Sequence, residues 1–161
     1  MQHKEVRFSY EEYASDNELP AADLALLTAA RKATADAYAP YSHFRVGTAA
    51  RLQNGEIIAG TNQENASFPA GICAERTLLS VAGSLYPGVY IDTLAVSYHN
   101  ENGSSDRPIS PCGICRQSLQ EFEQRTGRPV RLILGGHEGK IFVIPSACLQ
   151  LPLAFTAGEL Q

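Results

Sequence analysis

SFPAGICAERTLLSVAG, residues 67–83, runs from a loop into an amphipathic helix. Leu78, Leu79 and Ala82 recur at helical spacing, so one face is buried, and Gly83 is a stop signal. The first turn reads Cys73-Ala74-Glu75-Arg76, a thiol, an acid and a base where the chain turns inward. Strands flank this helix. Upstream, Phe44–Ala50 and Glu56–Thr61 read as two strands joined by Asn54-Gly55, a hairpin signal because both residues tolerate positive φ. Downstream come a strand at Thr93–Tyr98 and a polar loop from His99 to Arg107. A helix then opens at Pro111-Cys112-Gly113-Ile114-Cys115 and passes Leu119 and Phe122 to Gly127. Val130–Leu134 and Ile141–Ile144 read as strands joined at Gly135-Gly136, followed by a short C-terminal helix and a tail carrying Leu149, Leu151, Leu153 and Phe155.

The stretch LPAADLALLTAARKATADAYAP, residues 19–40, is a further helix with Leu24, Leu27, Ala30, Ala33 and Ala37 on one face, ended by Pro40. Residues 1–19 are a polar lead with strand character in Val6–Tyr10. The alternation predicts an α/β fold of three α/β/α layers with a mixed, about five-stranded sheet. The 161 residues fit one domain, 1–161, with residues 1–19 an extension to its core.

Composition excludes several functions. A formal charge of −4 with scattered Lys and Arg argues against a nucleic-acid partner, which needs a basic patch. No apolar run approaches the roughly 18 residues of a membrane span. The charged start MQHKEVRFSYEEY lacks the apolar core of a signal peptide, so a cytoplasmic location is expected.

Four cysteines in such a chain suggest metal or catalysis before disulfides. Cys112 and Cys115 are three apart and share one helix face, and Cys73 starts another helix. Helix N-termini favour thiolates. Two such starts facing each other bring three thiolates to one zinc and leave its fourth position to water, whose pKa zinc lowers toward ~7. Glu75, in the first turn, can reach past the helix end to accept and return a proton without being a ligand. Taken singly, a Cys-x-x-Cys is as readily a structural zinc half-site or a redox pair, and a first-turn acid commonly just complements the helix dipole. Together, Cys-Ala-Glu and Pro-Cys-x-x-Cys match the signature of zinc nucleobase deaminases. His3-Lys4-Glu5 also fits His-x-Glu, but lies in the polar lead with no amphipathic helix around it. His43, His99 and His137 read as surface histidines, and Cys148 as a small buried apolar residue.

APYSHFRVG (39–47), TNQENASFPAGICAERT (61–77), SPCGICRQ (110–117) and LPLAF (151–155) resemble, in order and spacing, the cytidine deaminase family in its short, three-cysteine, homotetrameric branch. The resemblance covers roughly residues 20–155. It implies one zinc per chain on Cys73, Cys112 and Cys115, with Glu75 as proton shuttle. It implies that Asn62 and Glu64 hold the ribose 3′-hydroxyl, that Phe44 stacks on the pyrimidine and that the Ala74 N–H meets the base carbonyl. Arg76 is expected to hydrogen-bond the zinc thiolates, and Ala66, Phe68 and Phe155 to reach into a neighbouring subunit's site in a homotetramer. Phe68 stands where many relatives carry Tyr.

The implied activity is zinc-dependent hydrolytic deamination of cytidine and 2′-deoxycytidine to the uridines, as in pyrimidine salvage. The rivals are a blasticidin-type aminonucleoside deaminase, a non-catalytic zinc module closed by Cys148, and a nucleic-acid-editing deaminase. The acidic charge disfavours the last.

Overall fold

The computed structural model describes residues 1–160. In chain order it contains β1 (Glu11–Tyr13), α1 (Ala21–Ala33), β2 (Phe44–Leu52), β3 (Ile57–Thr61), α2 (Ala74–Leu85), β4 (Ile91–Asn100), α3 (Gly113–Thr126), β5 (Arg131–Gly135) and β6 (Ile141–Ile144). Short 3-10 turns at Ala147–Gln150 and Ala157–Leu160 follow.

The strands form one sheet in the order β1-β6-β5-β4-β2-β3. Only β4 and β5 pair in parallel, through α3 as the crossover. Successive strand residues face opposite sides, and the two cores follow that alternation. Leu26, Leu27 and Ala30 of α1 pack on Ala49, Ala95, Ile133, Ile141 and Val143. On the other face, α2 (Leu78, Leu79, Ala82) and α3 (Leu119, Phe122) pack on Ala50, Leu94, Val96, Leu132, Leu134 and Ile144. The three expected layers are present, and the sheet has six strands rather than five.

The sixth is β1, which pairs with β6 in the register Glu11↔Val143 and Tyr13↔Ile141. It lies three to five residues beyond the expected Val6–Tyr10, because Tyr13 packs inward on the α1 core and Glu12 pairs with Lys140, the residue just before β6. Tyr10 instead rests its ring on Phe142 at 4.8 Å.

Helix α1 stops at Ala33 rather than at Pro40. The Thr34 hydroxyl donates to the Arg31 carbonyl, and Tyr38 is drawn into pairing beside Gln63. Leu26 takes the buried place expected of Leu24, since α1 also turns Asp23 inward to a two-pronged pair with Arg131 at 2.7 and 2.9 Å. Helix α2 runs past Gly83 to Leu85, and the chain leaves it through Pro87 and Gly88, at φ 80°. In the β2–β3 turn only Gly55 has positive φ (88°). Asn54 instead accepts the Glu56 N–H on its side chain. Gly135 belongs to β5, and Gly139, at φ 82°, makes the β5–β6 turn.

This topology decides where the site falls. Strand β2 is antiparallel to both β3 and β4, so those two run the same way and end at one edge of the sheet. Helix α2 starts after β3 and α3 after β4, on the same face, so their N-termini meet there. That is the crevice beyond strand ends where α/β sheets place ligands.

Candidate active site

Cys73 is the N-cap of α2 and Cys112 the N-cap of α3, both in extended backbone. Cys115 lies one turn into α3 and is buried. The sulfurs of Cys73 and Cys112 are 3.7 Å apart, those of Cys112 and Cys115 are 3.4 Å apart, and all three lie within 4.8 Å of one another. Tetrahedral zinc with Zn–S near 2.3 Å asks for sulfurs about 3.8 Å apart, so the cradle fits the ion.

The electrostatics agree with that fit. The Cys73 thiol is held down to about 6, first by its hydrogen bond with Cys115. Burial opposes this, Cys112 adds to it, and the charges of Glu75 and Arg76 act in opposite directions. Cys115 is pushed far up by its contact with Cys73 and by burial. One thiolate forms readily and a second is resisted, so full ionisation of the cluster calls for a cation at its centre.

Glu75 is 5 % exposed in the first turn of α2. Burial raises its pKa, partly offset by its own helical N–H and by Cys115. A carboxyl raised in this way holds a proton more readily near neutral pH than an exposed one.

The start of α2 has a specific seat. The buried Thr48 hydroxyl lies 3.1 Å from the Gly60 carbonyl and 3.2 Å from that of Ala74. At Gly60 a Cβ would come within 2.7 Å of the Ala74 carbonyl and of the Leu78 amide. Only glycine lets β3 press against the turn that carries Cys73 and Glu75. Neither Thr48 nor Gly60 was among the expected site residues. A lone glycine inside a strand pattern is the signal that marks such an approach.

The remaining expected residues divide into two groups. Asn62 and Glu64 lie beside the cluster, because Gln63 between them pairs with Ile72, one residue before Cys73 (N···O 2.9 and 3.0 Å). The Asn62 side chain accepts the Val46 N–H at 2.7 Å and donates to the Phe44 carbonyl at 3.0 Å. One Glu64 oxygen accepts the amides of Tyr41 (2.9 Å) and Ser42 (3.3 Å). Burial works to raise the Glu64 pKa, but the hydrogen bonds from Ser42 and Tyr41 hold it below the usual range. Phe44 is half-buried and stacks on Tyr98 at 4.9 Å and 14°, a backing ring that no sequence pattern announced.

Ala66, Phe68 and Phe155 are exposed. Phe68 is 75 % exposed and Phe155 59 %. Phe68 lines a cleft of about 400 Å³ with Tyr41, Ser42, Glu64, Asn65 and Gly71. Phe155 borders a larger groove, about 690 Å³, between the outer faces of α2 and α3. That groove touches the site only through Arg76, so its size does not make it the reaction pocket.

A buried carboxylate set against a three-thiolate metal cradle, at two converging helix starts, is the machinery of zinc-dependent nucleobase deaminases, and this chain is of that class. A family model, the cytidine and deoxycytidylate deaminase zinc-binding region, matches residues 20–128, a span that includes all three cysteines. A cytidine deaminase of Halalkalibacterium halodurans is 38% identical over 136 residues, covering 84% of this chain and 96% of that one. The crystal structure of a Burkholderia pseudomallei cytidine deaminase matches with TM-score 0.70 at 38% identity, over 81% of this chain and 97% of that one. A weaker likeness, 31% over 102 residues, is to a blasticidin-S deaminase of Bacillus cereus, covering 62% of this chain and 72% of that one. The chain belongs to the cytidine and deoxycytidylate deaminase family, and its cofactor is one Zn²⁺ per chain.

Proposed function

We propose that this protein deaminates cytidine and 2′-deoxycytidine hydrolytically: water adds at C4 of the base and ammonia leaves, giving uridine or 2′-deoxyuridine. The observation that carries the reading is the buried Glu75 carboxyl beside the Cys73–Cys112–Cys115 cradle. Those three cysteines hold the zinc, which when bound supplies the Lewis acidity that makes water nucleophilic near neutral pH. Glu75 takes the proton that water gives up, delivers it to N3 of the base, and carries a second, released by the hydroxyl added at C4 as it becomes the carbonyl, to the departing amine. Arg76 sets a positive charge against the net −1 of one zinc with three thiolates, which sustains the metal's acidity.

Asn62 and Glu64 hold the sugar. The second amide hydrogen of Asn62 and the second carboxylate oxygen of Glu64 supply a donor and an acceptor for its 3′-hydroxyl. Phe44 packs on the pyrimidine with Tyr98 behind it, and the Ala74 N–H meets the base carbonyl. This clamp favours a pyrimidine nucleoside over the blasticidin-type alternative. The chain works as one domain, 1–161, whose first 19 residues extend the core. Its free cysteines suit the reducing cytoplasm.

Cytidine should lose absorbance on incubation with the protein, and a chelator should stop the reaction. Free cytosine should react more slowly, since an unanswered sugar clamp costs roughly 1–3 kcal/mol. Cytosine turned over as efficiently as cytidine contradicts the clamp, and turnover unaffected by metal removal contradicts the zinc chemistry.

The working form is a homotetramer with shared sites. Phe68 and Phe155 are large, exposed aromatics at places suited to covering a neighbour's pocket, and aromatics of this kind anchor interfaces. Ala66 belongs to the same loop as Phe68. Light scattering should give four times the 17.4 kDa chain mass. Inactive Phe155→Ala and Glu75→Ala chains, mixed and reassembled, should regain activity, because some sites then combine an intact Glu75 with an intact Phe155. A fully active monomer overturns the shared site.

A further inference from the structure

Arg76 has a counterpart on the other helix that the reading above does not use. Arg116 follows Cys115 on α3, and its side chain folds back past the helix start. Its Nε donates to the Pro111 carbonyl at 2.8 Å and a terminal nitrogen donates to the Gln150 carbonyl at 3.1 Å. Pro111 is buried and has no N–H, so its carbonyl is the one backbone group through which the residue before Cys112 can be tied. The far carbonyl is itself anchored. Glu123 accepts the Ala147 amide at 2.8 Å and the Ser146 hydroxyl at 2.9 Å, and the Ala147 amide also reaches the Val130 carbonyl at 2.9 Å. Gln150, three residues on, closes that turn.

The three sulfurs are not equally constrained. Cys115 is buried within α3, whereas Cys112 is exposed and sits before the first helical residue, so its placement depends on the Pro111–Cys112 backbone. We propose that Arg116 is a positioning residue for the metal centre: its planar guanidinium spans the Pro111 and Gln150 carbonyls and so sets where the Cys112 sulfur stands. The inference rests on the zinc reading above. Charge alone does not perform this role, because the task is to bridge two carbonyls in fixed directions, which a guanidinium fork does and an ammonium does not.

The test compares zinc-loaded wild type with Arg116→Gln and Arg116→Lys, following zinc transfer to a chromogenic chelator and the visible spectrum of the cobalt-substituted proteins. Partners that orient metal ligands are worth roughly 10–100-fold in metal affinity. Arg116→Gln should therefore release zinc at least about tenfold faster. Arg116→Lys should also release it faster despite keeping the charge, and the sulfur-to-cobalt bands of both should shift. A merely structural role lowers the melting temperature of the metal-free protein but leaves those bands in place. Release and spectra matching wild type in Arg116→Lys overturn the proposal, even where Arg116→Gln fails to fold. Wild-type protein that binds no zinc overturns the underlying zinc reading instead.

Discussion

Glu75→Gln protein is expected to keep about one zinc per chain and to lose nearly all turnover. Glutamine preserves the volume of the side chain, so the packing around a residue 5 % exposed is undisturbed. It neither takes up nor gives up a proton near neutral pH. A positioned acid–base group contributes roughly 10²–10⁴ in rate, and here one carboxyl serves more than one transfer, so the loss falls at or beyond about 10⁴. Zinc retention follows from the local charges. Glu75 raises the pKa of the Cys73 thiol, so removing its charge favours the thiolate that the metal needs. Elemental analysis and the cytidine absorbance assay check the two halves separately. A variant within tenfold of wild type would end the proton-shuttle assignment.

Cys115→Ala should reach the same inactivity by the opposite route, losing the metal while keeping the fold. Cys115 is the fully buried member of the cluster, and its sulfur lies 3.4 Å from that of Cys112. Deleting it leaves two thiols, one half-buried and one exposed. Zinc content should fall from about one per chain to below roughly a tenth, since a zinc site ordinarily keeps at least three protein ligands. The cost to the fold stays within about 0.5–3 kcal/mol, the usual range for a point substitution, so circular dichroism should be unchanged at room temperature. Thiol titration supplies an independent readout. In the zinc-loaded wild type only Cys148 is outside the cluster. Burial first, and then Glu123, push its thiol up to about 12, so it should react slowly. In Cys115→Ala, Cys73 and Cys112 should react as well. Full zinc and full activity in this variant would show that the metal is held elsewhere.

The centre of the site was legible because its chemistry is local. Cys-Ala-Glu and Pro-Cys-x-x-Cys each open a helix, and the start of a helix can be read from a dozen residues of apolar spacing. The segments read as strands likewise located β2 to β6 to within a few residues. The layer order followed from their alternation with helices.

What the sequence could not supply depended on contacts between distant segments. β1 lies at Glu11–Tyr13 because β6 offers an open edge there, and neither strand carries that register alone. α1 ends at Ala33 because Tyr38 pairs beside Gln63, which overrides a helical pattern extending to Ala37. Gly60 and Thr48 matter to the site only because β3 and β2 are pressed against the first turn of α2, with the Thr48 hydroxyl 3.1 Å from the Gly60 carbonyl and 3.2 Å from that of Ala74. The sequence by itself determined which side chains are candidates for the chemistry, since residue type and helix-start spacing carry that information. The tertiary structure alone decided that two helix starts 39 residues apart would meet. It did so by running β3 and β4 in one direction on either side of β2, which brings three sulfurs and a carboxylate to a single edge of the sheet.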